Sequence, residues 1–495
     1  MTGRALGMDD LRVVELVECT AAELARVVRA REASPSEVVE AHLRQIDRVN
    51  RGLNAIVTLR GDEALENASR VEGEVREGVE LPLAGVPFTV KDVIATGGVR
   101  TTAGTPLLKD FVPRGDATAV ARLRRAGAIL LGKTNCPEWG MFGYTRNSLF
   151  GETRNPVGPV TPGGSSGGEA AAIAAHCSPL GLGTDFGGSV RWPAHCTGIF
   201  ALRPTAGRVP STGQLPAPSL EEPFLPNEVT LQGRVQVVGP LARSIEDLEL
   251  ALRIIEGPDG LDPFVAGTPL MRVDDIAVER AAVWDGPASP GVRADVVATV
   301  WDAAEALDSA GVDVGAVHRK ELERAVTLYS ELRDTDRLQD VRRLVHGREH
   351  EVGDDVREAI TSAEEFERLH PDLDTAPLWE ERDRIRAAFV SFLDRYSILL
   401  MPVATVPPYP LDGPPPVVDE HEQGMWDVLA PCRLISLLGV PALSVPFGTS
   451  ADGLPIGVQV VGRPFREDEV LAAGRILDEA AGRRSSRKAR SWVGG

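Results

Sequence analysis

The sequence predicts an α/β protein: a large mixed β-sheet covered by helices on both faces and interrupted by a more helical inserted region. Three observations carry this. Helical patterns alternate with short apolar, strand-like runs from about residue 83 to about residue 255, the pattern of a parallel or mixed sheet. Residues 318–395 are then charged and helical, with few sheet signals. Core composition returns near the end, in Ser397–Met401, Gly439–Pro446 and Leu454–Gly462. The chain divides into a helical N-terminal region packing on the core (1–70) and a core carrying the chemical motifs (71–257). A largely helical region with some α/β (258–396), a return to the core sheet (397–482) and a flexible tail (483–495) follow.

Thr20 with Glu23 and Ser34 with Glu37 form capping boxes, the second with Pro35 at the first helical position, so each opens a helix. The second helix carries an apolar stripe on which His42 reads as a packed histidine. Leu83–Val90 reads as a buried strand ending in Lys91-Asp92. A lysine there is costly to bury, so Lys91 either pairs with Asp92 or has chemical work to do. Residues 117–126 read as a helix and Ala128–Leu131 as a short strand. Residues 258–290 look like a connection holding a strand at Ala281–Trp284, and the helix Ala294–Leu307 follows.

A chain of 495 residues can bury an extensive core. Its net charge of −19, spread along the chain, argues against a nucleic-acid partner, which needs a basic surface. The basic cluster Arg483–Arg490 reads as a solvated end. Cys19, Cys136, Cys177, Cys196 and Cys432 are scattered and odd in number, so free thiols and a cytoplasmic setting are expected. No apolar signal core or membrane segment is seen.

The chemistry concentrates in residues 159–194. Two glycine-cradled serine groups occur there, Gly163–Gly168 and Asp185–Ser189, joined by an Ala-rich helical run from Glu169 to Ala175. Glycines beside a serine let backbone approach a substrate, and consecutive N–H groups beside a hydroxyl suit an oxyanion hole next to a nucleophile. The activating base is open at this level. His176 and His195 lie near the serines in sequence, while Lys91 offers a desolvated lysine whose proton affinity is lowered. Two other patterns mislead. Gly127–Thr134 fits the phosphate-loop spacing GxxxxGK[ST], but its interior is an apolar strand and a helix precedes it. His346-Gly-Arg-Glu-His350 fits HxxEH and could set both histidines on one helical face, yet Gly347 and dense flanking charge favour a solvated helix, and no metal is expected.

Lys91 after its strand, GGSSGG at 163–168 and GTDFGGSVRWPA at 183–194 together resemble the amidase signature family. So do Gly132–Asn135, Asn155-Pro156, Leu202–Thr205, Gly239–Arg243 and Leu454–Gln459, which carry the resemblance over nearly the whole chain. It implies the amidase signature fold and an amidohydrolase that cleaves a carboxylic amide through a Ser–cis-Ser–Lys triad. Ser189 would be the nucleophile, Ser165 the bridging serine after a cis bond from Gly164, and Lys91 the base. The N–H groups of Phe186, Gly187, Gly188 and Ser189 would form the oxyanion hole, with Ser166, Asp185 and Arg191 in support. For Arg191 a structural ion pair is the competing role.

Residues 139–150 hold four aromatics in a chain only 5% aromatic, and the stretch is similar to fatty acid amide hydrolases, where it borders the acyl pocket. Met141, Phe142, Tyr144, Trp192 and Trp426 are accordingly expected in the substrate pocket, against ordinary core packing as the alternative. This predicts a small-molecule partner, a hydrophobic acyl or aryl amide, with no cofactor and with a homodimer open as the assembly. Two further readings stand beside it. One is the glutamine-hydrolysing component of a tRNA amidotransferase, and the other is a biosynthetic enzyme passing the acyl group to an amine.

Overall fold

The computed structural model describes residues 15–492, with side chains from 15 to 482. Its strands are β1 (Ile56–Leu59), β2 (Pro87–Lys91), β3 (Ile129–Thr134), β4 (Arg146–Asn147), β5 (Gly151–Glu152), β6 (Leu180–Asp185), β7 (Phe200–Arg203) and β8 (Val237–Ala242). Then come β9 (Arg280–Val283), β10 (Asp313–Ala316), β11 (Ile398–Pro402), β12 (Val417–Val418), β13 (His421–Glu422), β14 (Ala442–Thr449) and β15 (Pro455–Gly462). Eleven of them form one sheet in the order β1-β3-β2-β6-β8-β7-β14-β15-β11-β9-β10. β2 runs parallel to β3 and β6, and β9 parallel to β10 and β11, while the middle of the sheet is antiparallel. The mixed sheet is as expected.

Alternation along each strand sends successive side chains to opposite faces, and both faces are covered. On β11, Ile398 and Leu400 join one core cluster with the helices Ala294–Ser309 and Glu467–Trp492. Leu399 and Met401 join another with the helices Lys320–Thr335, Ala376–Leu393 and Ala430–Leu438. Both capping boxes form, with Glu23 and Glu37 each bonding back to the cap N–H at 2.8 Å. His42 is fully buried, its Nδ1 2.8 Å from the Val38 carbonyl.

Several boundaries differ from the sequence reading. The strand expected from Leu83 starts at Pro87, because Gly85 takes φ +72° and turns the chain first. β3 runs past Leu131 to Thr134, since the polar ends of Lys133 and Thr134 find partners inside. The N-terminal region is not purely helical: β1 pairs antiparallel with β3 as an edge strand. The tail expected from residue 483 begins inside the helix Glu467–Trp492, and its basic side chains lie outside the described residues. Among the described residues no helix is long and apolar enough to cross a membrane.

Candidate active site

β2 places the lysine. Phe88 and Val90 enter one core cluster, so Thr89 and Lys91 project from the other face, toward the helix Gly167–Ala174. Lys91 is fully buried, and its Nζ donates to Ser165 Oγ at 2.6 Å and to Thr184 Oγ1 at 2.8 Å. Burial lowers its pKa to about 8, against the pull of nearby Asp185 and Glu169. Asp92 is not its partner. That carboxylate accepts from the Thr102 N–H at 3.0 Å and from the Thr102 hydroxyl. Ser165 follows a cis peptide bond from Gly164, where a Cβ would sit 2.3 Å from the Tyr144 carbonyl oxygen. Ser166 Oγ donates to the Thr184 carbonyl at 3.3 Å and ties this turn to β6.

The second serine sits on a turn organised by Asp185 at the end of β6. Its carboxylate accepts from the N–H groups of Gly188 (2.9 Å) and Val190 (3.1 Å) and from Arg191 through Nε (3.0 Å) and Nη2 (2.8 Å). Arg203 adds a contact at 3.3 Å. Burial pushes this carboxyl up, but the two guanidinium groups overcome it and hold it far below the usual carboxylate range. Arg191 also donates to Gln459 and Ser436 and is fully buried, so its competing role as a structural ion pair is the one the geometry fits.

Gly188 needs a correction as an oxyanion donor, because its N–H is already spent on Asp185. Among the described residues the amides of Phe186, Gly187 and Ser189 donate to no protein acceptor, and the Phe186 and Ser189 side chains are partly exposed to a cavity.

That cavity measures about 630 Å³. Of the expected pocket residues, Met141, Phe142, Tyr144 and Trp426 line it. Trp192 does not. It is buried behind the loop, donating its indole N–H to the Gly143 carbonyl at 2.9 Å and packing against Tyr409. Phe150 also points elsewhere, under the Arg100 guanidinium at 5.4 Å. The rings of Phe142 and Tyr144 stack at 5.2 Å, and the Tyr144 hydroxyl donates to the Asp355 carboxylate. Trp426 lies between Arg333, 4.7 Å from its ring centroid, and Arg433 at 5.7 Å.

The opposite wall was not foreseen. Tyr329 comes from the helix Lys320–Thr335, and Asp355, Ala359, Ser362 and Phe366 come from one face of the helix Asp354–Leu369. Their spacing of four, three and four was in the sequence, but that stripe is too polar to stand out as a buried face. Thr184 was missed as well, as a threonine within a strand carries no special signal.

The decoys resolve simply. Lys133 lies in β3 and donates to the Ile94 carbonyl, Thr96 Oγ1 (2.9 Å) and Thr101 Oγ1 (3.2 Å). The helix expected to carry His346 and His350 stops at Val345, and Gly347 takes φ +76°, so the two do not share a helical face. His195 Nδ1 accepts from the Gly457 N–H and His176 sits against the Val17 carbonyl, so neither ring reaches a serine.

A lysine-linked serine facing a second serine across a glycine turn, over a lined cavity, defines an amide-cleaving hydrolase of the amidase class. The family model described as Amidase matches residues 37–471, and the chain belongs to that family. It is 34% identical to the GatA-type component of the glutamyl-tRNA(Gln) amidotransferase of Deinococcus radiodurans, over 93% of this chain and 96% of the relative. It is 32% identical to the indoleacetamide hydrolase of Bradyrhizobium diazoefficiens, over 94% and 86%. Among solved structures, 6-aminohexanoate cyclic dimer hydrolase superposes with a TM-score of 0.81 at 28% identity, covering 94% of this chain and 97% of that one.

Proposed function

We propose that this amidase hydrolyses a hydrophobic acyl or aryl amide through an acyl-enzyme on Ser189. The observation that carries the reading is the fully buried Lys91 side-chain nitrogen 2.6 Å from Ser165 Oγ. Neutral Lys91 takes the proton of Ser165 while Ser165 takes that of Ser189, whose oxygen attacks the amide carbon. The N–H groups of Phe186, Gly187 and Ser189 receive the developing oxyanion, and one donor of this kind is worth about 2.7–4 kcal/mol. Run in reverse, the same relay protonates the leaving nitrogen. Water then repeats the attack on the ester and releases the acid. Because Lys91 acts as the neutral base, kcat/KM rises with pH through about 8.

The stacked Phe142 and Tyr144, with Met141, Phe366 and Trp426, supply an apolar surface near Ser189, which favours an aryl or acyl group over a small polar one. The test is intact-mass labelling with a fluorophosphonate beside Ser189→Ala and Lys91→Ala. A single adduct on Ser189, absent from the alanine variant and slowed by about 10³-fold or more in Lys91→Ala, is expected. In turnover, phenylacetamide should exceed acetamide in kcat/KM. A second reading, the glutamine-hydrolysing component of a tRNA amidotransferase, is favoured by the similarity to the Deinococcus protein. A wild-type chain that forms no adduct alone, but forms one when co-purified with partner subunits, would establish it.

A further inference from the structure

Three buried carboxylates lie around Lys91, and they are not equivalent. Asp185 is committed to two guanidinium groups. Asp92 bonds Thr102 and is coupled to Lys133. Lys133 pairs in register with Val90 and so faces the other side of the sheet. Glu169 is different. It is fully buried in the first turn of the helix Gly167–Ala174, four residues after Ser165. Its carboxylate accepts from the Thr89 hydroxyl and from the Thr134 hydroxyl at 2.7 Å, and among the described residues no cation is bonded to it.

The sheet is built around this group. Thr89 lies two residues before Lys91 on β2, and Thr134 is the cross-strand partner of Lys91 on β3, so all three project from one face. On β6 the partner of Thr89 is Gly181, where a Cβ would lie 1.8 Å from Glu169 Oε1. Three strands thus leave a cell for one carboxylate beside the lysine. Burial raises Glu169 to about 7 while the two hydroxyls pull it back, so the group is ionised where Lys91 titrates. Of the other groups facing Lys91, the Cys136 thiol is pushed up to about 12 by burial and is neutral there, and the charge of Asp185 is already paired.

The geometry points to Glu169 as a positioning residue: its buried carboxylate sets how tightly Lys91 holds a proton, and so the pH at which Lys91 becomes the base for Ser165. The inference rests on the Ser189–Ser165–Lys91 reading. A negative charge in that cell favours the ammonium form, which raises the pH needed to free the base and makes the freed base stronger. Removing the charge therefore acts in two directions at once. The acid limb moves down in pH and the high-pH plateau falls.

The experiment follows the rate of fluorophosphonate labelling at Ser189 from about pH 6 to about pH 10, a range spanning the lysine's titration. Wild type is run beside Glu169→Gln, Thr134→Val and Lys91→Ala. Glu169→Gln is expected to move the acid limb down by about one unit and lower the plateau. Thr134→Val removes one hydroxyl donor, lets Glu169 keep its proton to higher pH and shifts the limb the same way by less, so it carries the test if the glutamine variant does not fold. Limbs that coincide with wild type, with rates reduced equally at every pH, would mean a structural role and overturn the inference. Wild-type rates and pH dependence retained in Lys91→Ala would overturn the lysine reading itself, and this inference with it.

Discussion

On the sheet side of the cavity, Lys91, Ser165 and Asp185 are at most 1% exposed and are held by strands, a short helix and two buried arginines. On the opposite side, Asp355 and Glu358 stand exposed on the helix Asp354–Leu369, tied across by the Tyr144 hydroxyl and by the Gly353 N–H, which donates to Glu138 at 2.8 Å. The contrast separates two tasks. Proton relay needs groups fixed in a dry, low-dielectric setting, where a displacement of an ångström matters. Selecting a substrate needs surface of the right shape, and that tolerates polar, solvated neighbours.

Substitutions on the two sides should therefore fail differently. Asp185→Asn carries the largest effect, since it leaves Arg191 and Arg203 buried without their counter-charge. Denaturant unfolding is expected to show a loss of about 3–5 kcal/mol, with labelling of Ser189 lost as the turn opens. Unchanged stability would mean that the turn is held by something other than this cluster.

The sheet side also carries two histidines kept neutral by burial, His42 and His195, each lowered to about 4. Their folded pKa lies below the unfolded value, so between about pH 6.5 and pH 4 the unfolded chain binds protons that the folded chain does not. Stability falls as pH falls through that window, by about 2 kcal/mol per histidine at about pH 5. Thermal unfolding across that range should show Tm declining, and His42→Gln should flatten part of the slope. A level Tm would place the acid sensitivity elsewhere.

The smallest effects belong to the helical wall. Phe366→Ala or Trp426→Ala is expected to raise KM for an aryl amide by about 10-fold, the worth of part of one buried aromatic, with kcat held within about 2-fold. Stability should stay close to wild type. A fall in kcat without a change in KM would tie this wall to the chemistry and erase the distinction.

Legibility in the sequence divides along the same line. Lys91, the two serine turns and the mixed sheet were readable because their chemistry constrains residue type: a charge at a strand end, and glycines where backbone meets backbone. The commitment of the Gly188 amide to Asp185 was not readable, since any N–H in a glycine turn looks free until the turn is folded. Trp192 misled for a related reason. An aromatic beside the motif fits equally well in front of the loop or behind it, and here it props Gly143 from below. The face of Asp354–Leu369 stayed hidden because a wetted cavity wall has no apolar stripe to betray it.

That wall has a further consequence in how the chain enters and leaves it. Residues 317–397 depart from β10 and return to β11, and β9 lies between those two strands at the sheet's edge. The helices facing the substrate are thus a cassette with neighbouring ends, clipped to the rim of a framework that holds the relay elsewhere. Such a cassette can be exchanged or redrawn as a unit, by descent or by design, and one chemical engine can be given new clients without being rebuilt.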